Sequence, residues 1–362
     1  MPGLVLLCVL GCAGAGRVTV PSNAVAVTAA AETSPVESRD DAADDPAVWI
    51  ARDDPAASRI LGTDKEAGLG VYALDGRLLQ FLSLGNLNNV DLRRDVELGS
   101  VRRDVAAASN RSDGTIVVFA IDASGEVAVL GAFASGWAEP YGLCMARGPD
   151  GAPIVFANEQ TGAVRKWTLA LDDDEVVATL LGELHLASQP EGCVFDEEVS
   201  ALYVGEEARG LWRVDWPGDA PGSMRLVDEV GSGTGLTADV EGVALYREPE
   251  GGGYLIVSSQ GSHSYMVYER AGDNRFVGEL AIVDDPVTGI DGAAETDGID
   301  ASSANLGPAF PQGVLVVQDG FNAPERRQNF KLVDWRVIAG ALGPTAGSER
   351  NASLPPESAE SQ

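Results

Sequence analysis

Between residues 21 and 342 the apolar positions come in short runs separated by dense turn signals. Leu69–Leu74, Thr115–Ile121 and Pro153–Ala157 alternate or are rich in Val, Ile and Leu, which is the pattern of a strand with one or both faces covered. Asp75-Gly76, Asp113-Gly114, Asp150-Gly151 and Thr161-Gly162 sit between such runs and supply the residues that tight hairpin turns need. Only Asp334 to Leu342, DWRVIAGAL, carries a clear helical spacing. The pattern predicts an all-β chain built from hairpins.

A longer period overlies the short one. Tyr141-Gly-Leu-Cys, Glu191-Gly-Cys-Val and Glu241-Gly-Val-Ala follow one another at spacings of 50 and 50 residues, and Asp297-Gly-Ile-Asp comes 56 later. Upstream, Asn89-Val-Asp-Leu precedes Tyr141 by 52 residues and Asp45-Pro-Ala-Val precedes that by 44. Six anchors near a period of about 50 predict a six-bladed β-propeller of four-stranded antiparallel sheets. The innermost strands of a propeller line its channel, so equivalent positions converge on one ring. Here that ring gathers Asp44, Asp45, Glu191, Asp239, Glu241 and Asp297. Carboxylates brought that close raise one another's pKa unless a cation relieves them. Oxygen donors without imidazole or thiolate suit calcium, and magnesium less well.

Composition narrows the chemistry. Among 362 residues, 55 Asp plus Glu face 25 Lys plus Arg, a net charge of −30. Such a surface repels nucleic acid and anionic lipid. The two histidines, His185 and His263, leave no room for a His-rich zinc site and lie apart from any nucleophile pattern. Ser258-Ser259 and Ser302-Ser303 lack a nucleophile-elbow context. Cys144 and Cys193 lie one residue out of register in neighbouring repeats, which points their side chains to opposite faces of equivalent strands. Buried free thiols are therefore expected there rather than a disulfide.

The ends differ from the middle. Leu4 to Gly16 is apolar, too short to span a bilayer, and ends in small residues like a secretory signal. Val9-Leu10-Gly11-Cys12 matches a bacterial lipoprotein cleavage box, which would leave Cys12 lipidated. The expected organisation is a signal over 1–20, the propeller over 21–342 and a disordered Pro- and Ser-rich tail over 343–362. The expected product is an exported monomer, periplasmic, extracellular or lipid-anchored, with no transmembrane segment.

The segments AAETSPVES, DAADDPAVW, GTDKEAGLGVYALDG, GNLNNVDLR, AAASNRSDGTI, EPYGL, SQPEG, LYVGEEARGLWR, ADVEGVALY, GYLIVSSQGSHSYMVYER, TDGID, VVQDG and QNFKLVDW run in order from Ala29 to Trp335. On these the chain resembles the β-propeller phytases, the alkaline 3-phytases of bacilli and other bacteria. The resemblance implies calcium-dependent hydrolysis of phytate, myo-inositol hexakisphosphate, by direct attack of calcium-activated water, releasing lower inositol phosphates and phosphate. It implies catalytic-calcium ligands at Asp44, Glu191, Glu207, Asp239, Glu241 and Gln260. It implies phosphate contacts from Lys65, Arg111 and Tyr141. A second, structural group of calcium ions would use Glu32, Asp45, the carbonyl of Val90, Asp291, Asp319 and, in the same neighbourhood, Asp297.

Two departures stand out. Lys65 is followed by Glu66 where the bacillus pattern has a second lysine. The segment Asn158–Gly162, NEQTG, lacks a further phosphate-binding lysine, for which Arg165 or Lys166 are candidate replacements. Two other functions compete. A calcium-dependent propeller lactonase would need no basic phosphate grip, against Lys65 and Arg111. A non-enzymatic exported propeller that binds a protein partner would tolerate Glu191→Ala.

Overall fold

The computed structural model describes residues 21–322 and 327–343. The expected signal over 1–20 and the tail from 344 onward lie outside the described residues. Six antiparallel sheets form the blades of a propeller. Their innermost strands are Ala43–Trp49, Leu87–Leu98, Leu143–Arg147, Pro190–Asp196, Val240–Arg247 and Ile299–Ser302, in blades 1 to 6. Each packs against the innermost strand of the next blade, and the sixth against the first. All six sequence anchors fall in or directly before these strands.

Alternation along each strand explains the packing. Ala47 and Trp49 enter the apolar cluster between blades 1 and 2, while Val48 enters the cluster between blades 6 and 1. Six such clusters fill the six wedges between neighbouring blades. A strand with apolar residues on both faces is what a wedge between two sheets requires. Thr115–Ile121 is a strand as read from the sequence, and the other two runs shift by a single residue at their ends. The helix runs from Trp335 to Leu342, with the Asp334 carboxylate accepting the Arg336 amide at 3.0 Å as its N-cap.

Closure of the ring is a tertiary feature. Ala31–Glu32 pairs antiparallel with Asn329–Asp334 and so supplies the outermost strand of blade 6. Val25–Val27 adds a parallel fifth strand to blade 5. Residues from opposite ends of the chain thus share one sheet, and Glu32 comes to lie opposite Lys331.

The expectation of free thiols is overturned: Cys144 and Cys193 form a disulfide. Both side chains lie in the wedge between blades 3 and 4. Opposite faces of equivalent strands were correctly inferred, but in a propeller the right face of one blade looks onto the left face of the next. The out-of-register pair therefore meets across the wedge.

Candidate functional site

The upper mouth of the channel lies at the N-terminal ends of the innermost strands. Strand register breaks there in four blades, between Ala43 and Pro46, Leu87 and Val90, Pro190 and Cys193, and Val240 and Val243. These bulges contain Asp44-Asp45, Asn88-Asn89, Glu191 and Glu241. A bulge re-aims side chains that regular pleating would send into the wedges. The glycine after Glu191 and after Glu241 has its own cause. A Cβ on Gly192 would stand 2.5 Å from the Glu241 carbonyl oxygen, and one on Gly242 would stand 2.6 Å from the Ile299 nitrogen. The anchor is polar-Gly because successive blades touch at the channel.

Three carboxylates meet most closely. Glu191, Glu207 and Glu241 each present an oxygen within 4.8 Å of the others. Asp44 is buried beside them and accepts the Asn88 amide at 3.0 Å, and Asn88 also reaches Glu191 at 3.4 Å. Glu241 Oε2 is buried with no hydrogen-bond partner among the described residues, and buried Asp44 Oδ1 has only the Lys65 ammonium, 3.3 Å away. Burial lifts the Asp44 carboxyl to about 6, with Lys65 opposing and Glu191 adding to the rise. Burial and then Glu191 lift Glu207 to about 7. Burial is also the main reason that Glu241, Asp45 and Asp297 sit well above the usual carboxylate range. Orphaned buried oxygens from an all-oxygen donor set fit a hard cation.

The cationic side of the mouth is Lys65 and Arg111. Lys65 Nζ lies 2.8 Å from Asp41, 3.0 Å from Asp297 and 3.3 Å from Asp44. Burial works against its charge, but Asp44, Asp297 and Asp41 outweigh that and hold its pKa above the ordinary lysine value. Arg111 donates to Asn88 Oδ1 at 3.2 Å and lies with its guanidinium carbon 5.5 Å from the Tyr141 ring centroid. Burial, then Glu191 and Asp44, push the Tyr141 phenol up, so its hydroxyl keeps its proton at neutral pH. An open cleft of about 830 Å³ lies over Lys65 and Arg111.

Asp297 and Gln260 complete this ring. Gln260 Nε2 donates to Asp297 Oδ1, and the Asp297 amide donates to Gln318 Oε1 at 2.8 Å. Asp297 therefore belongs with Lys65 and Asp44 at the mouth, as the convergence of anchors predicted, rather than with the second group. Asp239 is exposed, accepts the Gln260 amide through its carbonyl at 3.0 Å, and its charge raises the Glu207 pKa. Asp45 sits below Asp44 and accepts the Val90 amide at 3.1 Å. Val90 thus meets Asp45 through its N–H.

The rest of the second group gathers elsewhere, at the ring closure. Glu32, Asp291 and Asp319 all contact the ammonium of Lys331, which is fully buried. Burial lifts Asp319 to about 6, with Lys331 opposing. Three carboxylates around one ammonium leave a net negative charge; Asn329 Oδ1 is buried without a hydrogen bond, and Asp319 Oδ2 has only the Lys331 ammonium, 3.3 Å away. This donor set also fits a hard cation, held alongside the ammonium.

Sequence reading missed several residues. Asn88 links Asp44, Glu191 and Arg111, and it looks like any turn-flanking asparagine in the sequence. Asn158 holds the Glu191 backbone by donating to its carbonyl at 2.6 Å. Arg39 lines the cleft with Lys65 and Arg111, from a loop with no strand pattern. The suggestion that Lys166 replaces the missing lysine is overturned, because its ammonium donates to the Gly218 carbonyl at 2.7 Å at the other end of the blade. Arg165 is engaged with Glu183 at 2.5 Å and with the Ser135 carbonyl at 2.9 Å. The histidines stay outside the site: His185 lies 3.1 Å from Glu183, and His263 Nδ1 accepts the Glu295 amide at 3.0 Å.

Known proteins sharpen this picture. A 3-phytase of Bacillus subtilis (strain 168) is 42% identical over 332 residues, covering 88% of this chain and 85% of that protein. Two crystal structures of BBS1N in complex with ARL6DN, soaked with mercury and with lead, overlap 76% and 79% of this chain and 75% and 77% of theirs. Their TM-scores are 0.45 and 0.47 at 11% identity, too low a likeness to bear on the site. The family model described as Phytase matches residues 4–353, and so, with its six anchors converged on one acidic mouth, this chain belongs to the phytase family.

Proposed function

We propose that this protein is a calcium-dependent 3-phytase, a phosphoric monoester hydrolase that releases phosphate from phytate at the upper mouth. One observation carries the calcium reading: within the Glu191–Glu207–Glu241 cluster of converging carboxylate oxygens, Glu241 Oε2 is buried with no hydrogen bond. Asp44, Glu191, Glu207, Asp239, Glu241 and Gln260 would hold the ions. Calcium bound there would offset the carboxylate charge, draw in substrate phosphate, lower the pKa of water and stabilise charge developing on phosphoryl oxygens.

The chain's own residues do the positioning. Arg111 offers a planar fork to two phosphate oxygens, and the Tyr141 ring beneath it limits its swing. Lys65 supplies a point charge at the floor of the cleft, fixed by Asp41, Asp44 and Asp297. Tyr141 keeps its hydroxyl proton and donates a hydrogen bond to a phosphate oxygen. Asn88 ties Arg111 to Asp44 and Glu191, so the phosphate grip and the acidic cluster share one support. The Glu32–Asp291–Asp319 cluster is the proposed structural calcium site, placed where the chain ends close the ring. Export, by the signal and the lipoprotein box at Cys12, is part of the same proposal.

The test is phosphate release from phytate at neutral to mildly alkaline pH, with calcium and then with excess chelator. Release that depends on calcium is expected. Release that survives full chelation would sink the calcium reading, and no release under either condition would sink the activity.

A further inference from the structure

At the lower end of the channel the protein opens into a cavity of about 960 Å³, lined by residues of all six blades and running into the wedge between blades 3 and 4. Its apolar wall includes Ile154, Phe156, Leu181, Phe195, Trp216 and Pro217. Phe156 stacks on Phe195 at 5.1 Å and meets Trp216 edge-on at 5.4 Å. The same cavity is lined by Arg93, Arg94, Arg147, Lys166 and Arg247. That is five of the 25 basic residues in a chain of net charge −30, so their gathering is not a sample of the surface.

Five acids, Asp91, Glu197, Glu198, Asp219 and Asp300, also line the cavity; all but the exposed Asp219, whose charge favours the Lys166 ammonium, are already engaged. Asp91 takes Arg93 at 2.9 Å, and Glu197 takes Arg93 at 2.8 Å and Arg247 at 3.3 Å. Glu198 takes Arg270 at 2.9 Å, and Asp300 accepts the amides of Val48 at 2.8 Å and Ala301 at 2.7 Å. Lys166 differs. It is 8% exposed, its ammonium donates to the Gly218 carbonyl, and it joins no ion pair among the described residues. Arg147 donates to the Arg94 carbonyl and likewise joins no ion pair among the described residues. Arg93 Nη2 is buried with no hydrogen bond, and Arg94 Nε has only the Asp104 carboxylate, 3.8 Å away. Buried donors left unanswered are costly, and an oxyanion would answer several at once.

We propose that this cavity binds a small organic oxyanion, a carboxylate or phosphate carried on an apolar, ring-sized body. Lys166, opposite Phe156 in the sheet, holds the anionic group, Arg147 adds positive charge at the rim of the cavity, and the wall of Phe156, Phe195 and Trp216 holds the body. The upper mouth offers carboxylates that need a cation to meet an anion. The lower cavity offers cations directly, so its ligand needs no metal.

Isothermal titration of the full chain in excess chelator tests this, with benzoate and phenylphosphonate as probes and inorganic phosphate as the comparison. Both organic anions should bind the wild type and bind more tightly than inorganic phosphate; a preference between the two identifies the anionic group. The Lys166→Met/Arg147→Ala double variant should weaken both by at least about tenfold, the loss of charge-assisted bonds. Its phytate kcat/KM with calcium should stay within about twofold, since neither residue touches the upper mouth. No saturable binding at about 10 mM, a weak affinity on the usual scale, overturns the proposal. So does equal affinity in the double variant, or inorganic phosphate binding as tightly as the organic anions. Should the double variant fail to fold, Arg147→Ala alone carries the prediction, because that side chain is exposed.

Discussion

The two ends of the channel are built from the same six strands and treat buried charge in opposite ways. At the lower end Asp196 accepts both Nε and Nη2 of Arg270 at 2.7 Å, and the two side chains are 1% and 2% exposed. Glu197 is shared by Arg93 and Arg247. At the upper end Glu241 is buried and keeps an oxygen without a hydrogen bond, while buried Asp44 Oδ1 has only the Lys65 ammonium, 3.3 Å away and shared with Asp41 and Asp297. Lys65 is the one ammonium that contacts that ring among the described residues. A buried carboxylate with a fixed partner is satisfied within the fold. One without a partner is a demand for something the chain does not contain, and a cluster of them marks where function resides.

The largest expected effect breaks the comparison at the upper end. Glu241→Gln should lower phytate kcat by about a thousandfold, the loss of a charge-stabilising group at the reacting phosphate. Its melting temperature in chelator should equal or exceed that of the wild type, since a repulsive buried charge is gone. A large fall in that melting temperature would show that Glu241 is already satisfied without an ion. At the lower end the signs reverse. Arg270→Met strands Asp196 and should cost about 3–5 kcal/mol of stability, read by urea denaturation, with kcat unchanged in whatever fraction folds.

A smaller effect sharpens the cationic side of the upper mouth. Arg39→Ala should raise KM for phytate by about threefold to tenfold and leave kcat alone, as expected for a phosphate contact that does not change in the transition state. An unchanged KM would mean that the cleft has not replaced the lysine missing from Asn158–Gly162.

The smallest effect is in the pH dependence of the chelated protein. Asp44 and Glu207 have folded pKa values of about 6 and about 7, above their ordinary values. Protonation therefore favours the folded state, and the stability they give is complete at low pH and lost as pH rises through 6 to 7. Glu197 is opposite: burial would raise it, but Arg93 and Arg247 hold it below its ordinary value. Its contribution persists at neutral pH and is lost only as pH falls through its lowered pKa. In chelator, the melting temperature should rise as pH drops from about 7 to about 5.5, inside the window between the raised pKa values of the upper carboxylates and the ordinary carboxylate range. Saturating calcium should flatten or invert that slope, because binding needs ionised carboxylates. The same slope with and without calcium would count against ions at the upper mouth.

Much of this was legible before any coordinates. The alternation of Thr115–Ile121 and the anchors at Tyr141, Glu191 and Glu241 are local or periodic signals, and periodicity survives into architecture because each blade repeats one packing problem. Asp44, Glu191 and Glu241 could be placed on one ring for the same reason. The disulfide is not legible in the sequence because equivalent strands give only the faces of Cys144 and Cys193, and it is the packing of one blade on the next that brings those opposite faces together. Asn88, Arg39 and the lower cavity left no trace in the sequence. Each depends on residues far apart in the chain, and none of their types is unusual where it stands.

The sequence by itself therefore determined the repeated blade, the ring of acids and the membership of the family, since those depend on residue type at a fixed period. Tertiary structure alone decided which acids are answered and which are not. Lys65 reaches Asp297 across 232 residues, Lys331 draws in Glu32 across 299, and Lys166 turns away from the mouth it was expected to serve. The field at a buried carboxylate is set by what lies within a few ångströms, and in a closed ring those neighbours come from every part of the chain.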